Sequence, residues 1–172
     1  MANRMRKVWD LVANPADILE FAVDSSVAVE IGDLMWLDTD DVKPASATGL
    51  WTGSAAGTYG NLARKFVGVA MSAHVANEAL VTTVKVACRG TFKMTLTSAA
   101  TFEIGDLVRG SQDGANSYLL DQEVVKITSI PAGESDAIGK VQKRYATSVS
   151  EVEVQILGST IPGGGNKAFT SS

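Results

Sequence analysis

Apolar and polar residues alternate with a period of two through most of this 172-residue chain. The alternation begins near Ile18, resumes at Val27 and returns in the runs 81–86 and 151–156. A period of two places apolar side chains on one face of a β-strand, whereas an amphipathic helix needs a period of 3.6. No segment sustains the helical period over three turns. The pattern therefore predicts a mainly β chain of short strands, which is typical of a barrel or sandwich.

Three short patterns occur twice along the chain, in the same order and at nearly the same spacing. Each copy has an apolar-Glu-Ile-Gly-Asp-Leu segment, then an aliphatic-Gly pair, then an alternating run. The paired positions are 29–34 with 102–107, 67–68 with 138–139, and 81–86 with 151–156, at offsets of 73, 71 and 70 residues. The agreement predicts two structural copies of one β unit, 27–100 and 101–157. The duplicated residues are typical of a scaffold, so we expect the function to reside in surfaces.

Both copies contain a Gly-Asp pair that is predicted to form a tight turn. Glycine adopts the positive φ that such a turn requires, and an aspartate side chain accepts hydrogen bonds from nearby backbone amides. The four residues interpreted as structural turn residues are Gly32, Asp33, Gly105 and Asp106.

The compact part of the chain is expected to span residues 17–157, as a β-barrel or β-tulip-like domain built from two similar halves. Residues 1–16 have no clean period and are interpreted as an extended N-terminal arm. The Gly- and Ser-rich residues 158–172 are interpreted as a flexible C-terminal tail. A half of roughly 70 residues would bury only about 60% of its unfolded surface alone. We therefore expect the halves to share a core or to rest on neighbouring subunits.

The arm, the tail and one internal loop carry the candidate partner-binding residues. Residues 38–63 form the longest irregular stretch, and two aromatic residues in so polar a loop indicate a docking surface. The two terminal segments also hold large apolar residues, for which a partner would supply the other half of an apolar contact. The candidate partner-binding residues are Met5, Trp9, Leu11, Trp51, Tyr59, Ile161 and Phe169.

Charge and composition argue against several classes of protein. The 15 basic and 19 acidic residues give a net charge of −4, which argues against a general nucleic-acid binder. A single cysteine excludes an intramolecular disulfide. No run approaches the roughly 20 apolar residues of a membrane span. The N-terminus lacks the pattern of a signal peptide, so we expect synthesis and folding in a cytoplasm.

Few residues are candidates for chemistry. Cys88 and His74 are the only residues of their types, but Cys88 continues the apolar alternation into the core and His74 lies in a polar turn. The acidic run Asp38–Asp41 starts like a calcium loop, but Lys43 occupies the position where that loop needs glycine. The sequence therefore predicts no enzyme, no catalytic residue, no cofactor and no metal site.

The order of the repeated motifs resembles that of tailed-bacteriophage head decoration proteins, also called capsid cement proteins. In that family an apolar-x-x-Gly-Asp turn precedes a strand, and an Ile/Val-Gly-Val-Ala strand is followed by an alternating strand that ends near Gly-x-Phe. The matching segments of the first copy are 31–34, 66–70, 81–86 and 90–92. The second copy resembles the closing half of the family in segments 103–107, 138–141 and 152–156, and departs from it at Lys140 and Gln142.

This resemblance, which covers roughly residues 27–157, implies a function. It implies a β-rich protein, often a trimer, that binds the major capsid protein on the outer surface of the expanded head. There it would clamp neighbouring capsid subunits against the pressure of the packaged DNA, without a cofactor, as part of the virion. Strand addition by flexible termini and the multivalency of many copies suit such a role.

Two other functions stay open at the level of sequence. A head–tail joining or tail-tube protein would share the β core but assemble as a ring. A carbohydrate-binding β module on the virion surface would use Trp36, Trp51 and Tyr59 as stacking platforms, although only Trp51 and Tyr59 share a loop.

Overall fold

The computed structural model describes residues 6–9, 18–78, 80–114, 118–129 and 136–157. These residues form a mainly β fold, as the alternation predicts, together with a short 3-10 helix (Thr48–Leu50) and one α-helix, α1 (Ala55–Lys65). The strands are β1 (Arg6–Trp9), β2 (Ile18–Ala22), β3 (Leu34–Asp38), β4 (Asp41–Pro44), β5 (Phe66–Ala70), β6 (Thr83–Ala87), β7 (Arg89–Phe102), β8 (Leu107–Gln112), β9 (Leu119–Lys126), β10 (Gly139–Val141) and β11 (Tyr145–Leu157).

Strands β7 to β11 form a closed five-stranded barrel, here called the C-terminal barrel. Its strand order is β7-β11-β10-β8-β9, with antiparallel neighbours. A parallel pairing of β7 with β9 closes it, where Thr95 pairs with Glu123 and Leu96 with Val124. Strand β1 lies antiparallel to an earlier part of β7. Closure leaves the barrel with few free strand edges.

Strands β2 to β6 repeat this arrangement in what is here called the N-terminal unit. Their order is β2-β6-β5-β3-β4, the same order when each strand is matched to the strand five places later. A parallel bridge between Val23 and Val42 joins the outer strands, as the Leu96–Val124 pair does in the barrel. The prediction of two similar halves is therefore confirmed.

The structural halves begin earlier than the sequence repeat. The first half starts with β2 at Ile18 and the second with β7 at Arg89, whereas the repeated motifs placed the starts at 27 and 101. The repeated motifs do not include the first strand of each half, because β2 and β7 occupy equivalent positions in the fold but share no sequence pattern.

The alternating runs match at an offset of 68 residues, so the alignment at 70 was wrong. The backbone N–H of Met71 donates to the carbonyl of Lys85 at 2.7 Å, and that of Gln142 donates to the carbonyl of Glu153 at 3.1 Å. These equivalent bonds align Lys85 with Glu153. A shift of two residues keeps every side chain on the same face of its strand, so the assignment of core positions is unchanged.

The two Gly-Asp turns have the same geometry. The carboxylate of Asp33 accepts a hydrogen bond from the Glu30 amide at 2.7 Å, and that of Asp106 accepts one from the Glu103 amide at 2.8 Å. The preceding glycines have φ values of 105° (Gly32) and 96° (Gly105), in the region that favours glycine. The next strand therefore leaves each turn in the same direction.

Each half has an apolar interior, and all nine residues of the buried cluster inside the N-terminal unit have buried counterparts in the barrel. The pairs, matched by strand register, are Val23/Leu96, Val29/Phe102, Met35/Val108, Val42/Val124, Val67/Ile138, Ala70/Val141, Val84/Val152, Val86/Val154 and Cys88/Ile156. Cys88 is thus a core residue, as its place in the alternation predicts.

One cross-strand charge pair is inverted between the halves. Glu20 on β2 is paired with Lys85 on β6. At the equivalent position of the barrel, Lys93 on β7 is paired with Glu153 on β11. Opposite charges therefore stand opposite each other in both halves, with their signs exchanged.

The interpretation of residues 38–63 as an irregular loop is wrong, because β4, the 3-10 helix and most of α1 lie there. Helix α1 begins after Ser54, whose hydroxyl accepts a hydrogen bond from the Gly57 amide at 3.2 Å. Its buried residues include Tyr59 and Leu62, and it contacts both β3 and β8. The helix therefore packs between the two halves.

Candidate interaction surfaces

A buried carboxylate connects the two halves. One oxygen of Asp33 accepts the hydrogen bond from the Glu30 amide, and the other accepts one from the side-chain amide of Gln122, on β9 of the barrel, at 2.8 Å. Burial raises the pKa of Asp33 to about 6. The equivalent Asp106 instead forms an ion pair with Lys126 of its own barrel at 2.6 Å.

A second carboxylate of β9 strengthens the same junction. Asp121 accepts a hydrogen bond from the backbone amide of Ser46, in the N-terminal unit, at 2.6 Å. Burial raises the pKa of Asp121 as well, so its ionised form is disfavoured relative to an exposed aspartate. Adjacent residues of β9 thus each form a hydrogen bond to the N-terminal unit. We assign this junction a structural role in fixing the two halves.

Tyr59 also belongs to the junction between the halves. Its ring is buried, and its hydroxyl donates a hydrogen bond to Gln112 of β8 at 3.0 Å. The guanidinium of Arg109 lies 4.0 Å from the ring centroid, and the same residue pairs with Asp136 at 3.4 Å. A ring enclosed in this way is a packing residue within the chain, so Tyr59 is not part of an exposed docking loop.

The three aromatic residues considered for carbohydrate stacking do not share a surface. Trp36 is fully buried, and its indole N–H donates to the Pro44 carbonyl at 2.9 Å. Tyr59 lies in the interior. Trp51 is half-buried, with its ring centroid 6.5 Å from that of the exposed Tyr118. Of the three, Trp51 alone is therefore placed to contact a partner.

The other candidate partner-binding residues belong to the terminal segments. Trp9 lies in β1, where its backbone pairs with Thr91 of β7. Met5, Leu11, Ile161 and Phe169 lie outside the described residues. Their role in binding a partner stays a prediction.

His74 and Cys88 are both buried in the N-terminal unit. The expected polar turn at His74 is replaced by a backbone bridge to Val29, and the imidazole Nδ1 lies 2.6 Å from the carbonyl oxygen of Val27. This contact to a backbone carbonyl fixes the ring inside the fold. In the described ranges, no group of three or more His, Cys, Asp or Glu side chains is placed to hold a metal ion. Of the acidic run, Asp38 is paired with Lys43 at 2.7 Å.

Several large apolar side chains are exposed at positions that sequence reasoning missed. Ile31 and Ile104 lie at the tips of the two equivalent turns, with exposed fractions of 44% and 71%. Leu19 on β2 is also exposed, as is Leu80 in the connection between β5 and β6. The repeat itself contained the signal, because the residue before each Gly-Asp pair occupies the outer corner of a tight turn.

Comparison with known proteins finds no protein-family model that matches the chain and no curated protein sequence that matches it. No helix among the described residues has the length and apolar character needed to cross a membrane.

Proposed function

We propose that this chain is a decoration (cement) protein of a tailed-phage capsid, which binds the major capsid protein on the outer surface of the expanded head. The observation that carries the proposal is the position of the family-like motifs, which is the same in both halves of the fold. The Gly-Asp turn precedes β3 and β8, the aliphatic-Gly strand is β5 and β10, and the alternating run is β6 and β11.

The duplicated fold suits a partner that is itself repeated. Two equivalent turns of the same chain present exposed isoleucines, Ile31 and Ile104. Fully burying such a side chain contributes roughly 1.5–3 kcal/mol, and two linked contacts bind more tightly than either contact alone. A chain with two similar faces can therefore contact two neighbouring copies of one capsid subunit and hold them together.

We further propose that the protein acts as a homo-oligomer, most simply a trimer, when it is bound to the head. The capsid resemblance favours a trimer, and closed cyclic symmetry is the usual form of a soluble homo-oligomer. Imaging of decorated heads tests this part of the proposal. Separate single copies that do not contact one another would contradict it.

Binding to capsids tests the function directly. The purified chain is mixed with heads assembled from the major capsid protein of the same genome, before and after expansion, and bound protein is measured by cosedimentation. We expect saturable binding to expanded heads, weaker binding to unexpanded heads, and an increased disruption temperature of the decorated heads. Absence of binding to either form would refute the proposal.

Truncation locates the binding surface. We expect deletion of residues 1–16 or of residues 159–172 to weaken binding, because both segments carry candidate partner-binding residues. Circular dichroism of each truncated chain verifies that the β fold is retained. Undiminished binding after deletion of both ends would move the interface to the turns and to the surface around Trp51.

A further inference from the structure

One edge of β2 is unpaired in the part of the chain that the structure describes. β6 pairs with β2 along its whole length, from Ile18 opposite Ala87 to Ala22 opposite Thr83. On the other edge, the bridge to β4 occurs only after the strand, at Val23, and no described strand pairs with Ile18–Ala22. The unpaired N–H and C=O groups of such an edge can bind a further strand.

The equivalent edge of the barrel is covered. β1 pairs there with β7, antiparallel, and the paired positions are Arg6 with Lys93, Lys7 with Phe92, and Trp9 with Thr91. By the equivalence of β2 and β7, these three β7 residues correspond to Glu20, Leu19 and Ile18. The chain thus supplies an edge strand for one half and, among its described residues, none for the other.

The side-chain exposure on β2 and β7 agrees with this difference in edge pairing. Phe92 is 1% exposed in the barrel, whereas its counterpart Leu19 is 38% exposed and the adjacent Ile18 is 37% exposed. Two large apolar residues therefore face solvent on a strand whose equivalent is packed. A strand bound along β2 would reduce their exposure as well as satisfy the backbone groups.

The residue charges indicate which strand fits. In the chain's own sheet the register places Arg6 opposite Lys93, a residue of the same charge. On β2 the same register would pair Arg6 with Glu20, which is favourable. By contrast, two β2 edges pairing antiparallel about Glu20 would place that glutamate opposite itself.

We propose that the free edge of β2 accepts β1 (Arg6–Trp9) of a second copy of this chain, antiparallel and in the register that β1 takes on β7. β1 leaves β7 of its own chain in this exchange, so its main-chain hydrogen bonds on β7 are replaced by those on β2. The opposite charges of Arg6 and Glu20 favour the exchange and fix its register. Each copy donates one strand and accepts one, so the contact is head-to-tail and can close into a ring. The inference goes beyond the capsid role, and its test uses purified protein alone, so its failure would leave the capsid proposal standing.

Disulfide trapping between two differently tagged chains tests the pairing. One chain carries Arg6→Cys and the other Glu20→Cys, and Cys88 is retained because it is buried. Directly paired residues of antiparallel strands are about 4.5–5.5 Å apart at Cα, within the range that a disulfide spans. We expect a mixed disulfide dimer on oxidation at high protein concentration. As a control, Arg6→Cys with Lys93→Cys in one chain reports β1 bound to its own β7.

A second set of variants tests register and charge. Lys7→Cys should cross-link to Leu19→Cys and not to Ala22→Cys on the partner chain. Adding Glu20→Lys should reduce the Lys7–Leu19 cross-link by roughly two- to five-fold, the effect of one exposed charge pair, and Glu20→Gln should reduce it less. Absence of the mixed dimer, a dimer formed by Glu20→Cys chains alone, or equal yields in both registers would overturn the proposal.

Discussion

The side-chain amide of Gln122 donates a 2.8 Å hydrogen bond to the carboxylate of Asp33, which joins the C-terminal barrel to the turn before β3. Asp33 is buried in this junction, whereas its counterpart Asp106 is partly exposed and pairs with Lys126 of its own barrel. The two turns have the same local geometry, but the turn that contains Asp33 also connects the two halves.

The raised pKa of Asp33 predicts a pH dependence of stability. Its pKa rises from 3.8 to about 6 on folding, so the folded state binds the proton more tightly than the unfolded state. This contribution to stability is complete below about pH 4 and is lost as the pH rises through 6. Relative to the wild type, the Asp33→Asn variant should therefore become more stable by about 2 kcal/mol between pH 4 and pH 7.

Chemical denaturation at several pH values measures this difference. Asp106→Asn is the matched control, because it changes the equivalent turn without touching the junction. Comparison of the two variants separates the effect of the junction from that of removing a turn aspartate. Parallel pH profiles for the wild type and Asp33→Asn would contradict the assignment of a buried, proton-binding carboxylate.

Two equivalent glycines are predicted to be essential for strand packing. A Cβ atom at Gly68 would lie 2.8 Å from the carbonyl carbon of Ala87 and closer still to its oxygen. One at Gly139 would lie 2.8 Å from the Gln155 carbonyl oxygen. Gly68→Ala and Gly139→Ala should each lower the free energy of unfolding by about 3 kcal/mol, since overpacking against a backbone is poorly relieved. Gly114→Ala, where the added methyl meets open space, should change stability little.

Tyr59 is predicted to stabilise the fold and not to bind a partner. Tyr59→Phe removes the hydrogen bond to Gln112 and should cost about 1 kcal/mol, whereas Tyr59→Ala also leaves a cavity beside α1 and should cost about 3–4 kcal/mol. Thermal unfolding measures both. Tyr59→Phe should leave capsid binding unchanged. A loss of binding by a variant that is still folded would mean that Tyr59 is part of the interface.

The exposed turn isoleucines are predicted to bind the partner. Ile31→Ser and Ile104→Ser should each weaken binding to expanded heads by roughly three- to tenfold, because an exposed apolar side chain that becomes buried contributes on the order of 1 kcal/mol. Stability should be nearly unchanged in both variants. Val75→Ser, at another exposed apolar position, is the matched control. If Ile31→Ser and Ile104→Ser bind expanded heads as tightly as the Val75→Ser control, the turns are not part of the interface.

The period of two and the repeated motifs were sufficient to predict the β class and the duplication. They could not reveal α1, because the helix is short, contains Gly57 and Gly60, and buries the polar Thr58 and the small Ala63 beside its larger apolar residues. Glycine lowers helix propensity, and so short a stretch carries little periodic signal. The cap at Ser54 and the basic pair Arg64-Lys65 at the other end were the local signals present in the sequence.

The candidate surface was less predictable than the fold. Strict alternation after Val29 would bury Ile31, but the chain turns at Gly32 and leaves that side chain at an exposed corner. Tyr59 was assigned to a loop because its burial depends on Arg109 and Gln112, which lie about fifty residues later in the chain. Long-range contacts of this kind leave no local pattern.

The inverted charge pair has a consequence for the fidelity of folding. Two similar halves in one chain risk exchanging strands while they fold, yet β2 paired with β11 would bring Glu20 against Glu153, and β7 paired with β6 would bring Lys93 against Lys85. The double variant Glu20→Lys/Lys85→Glu keeps a correct pair but makes these wrong pairs attractive. Its refolding yield should fall while its equilibrium stability holds, and a second inversion, Lys93→Glu/Glu153→Lys, should restore the yield. An unchanged yield in the first variant would mean that duplicated strands find their partners without help from charge.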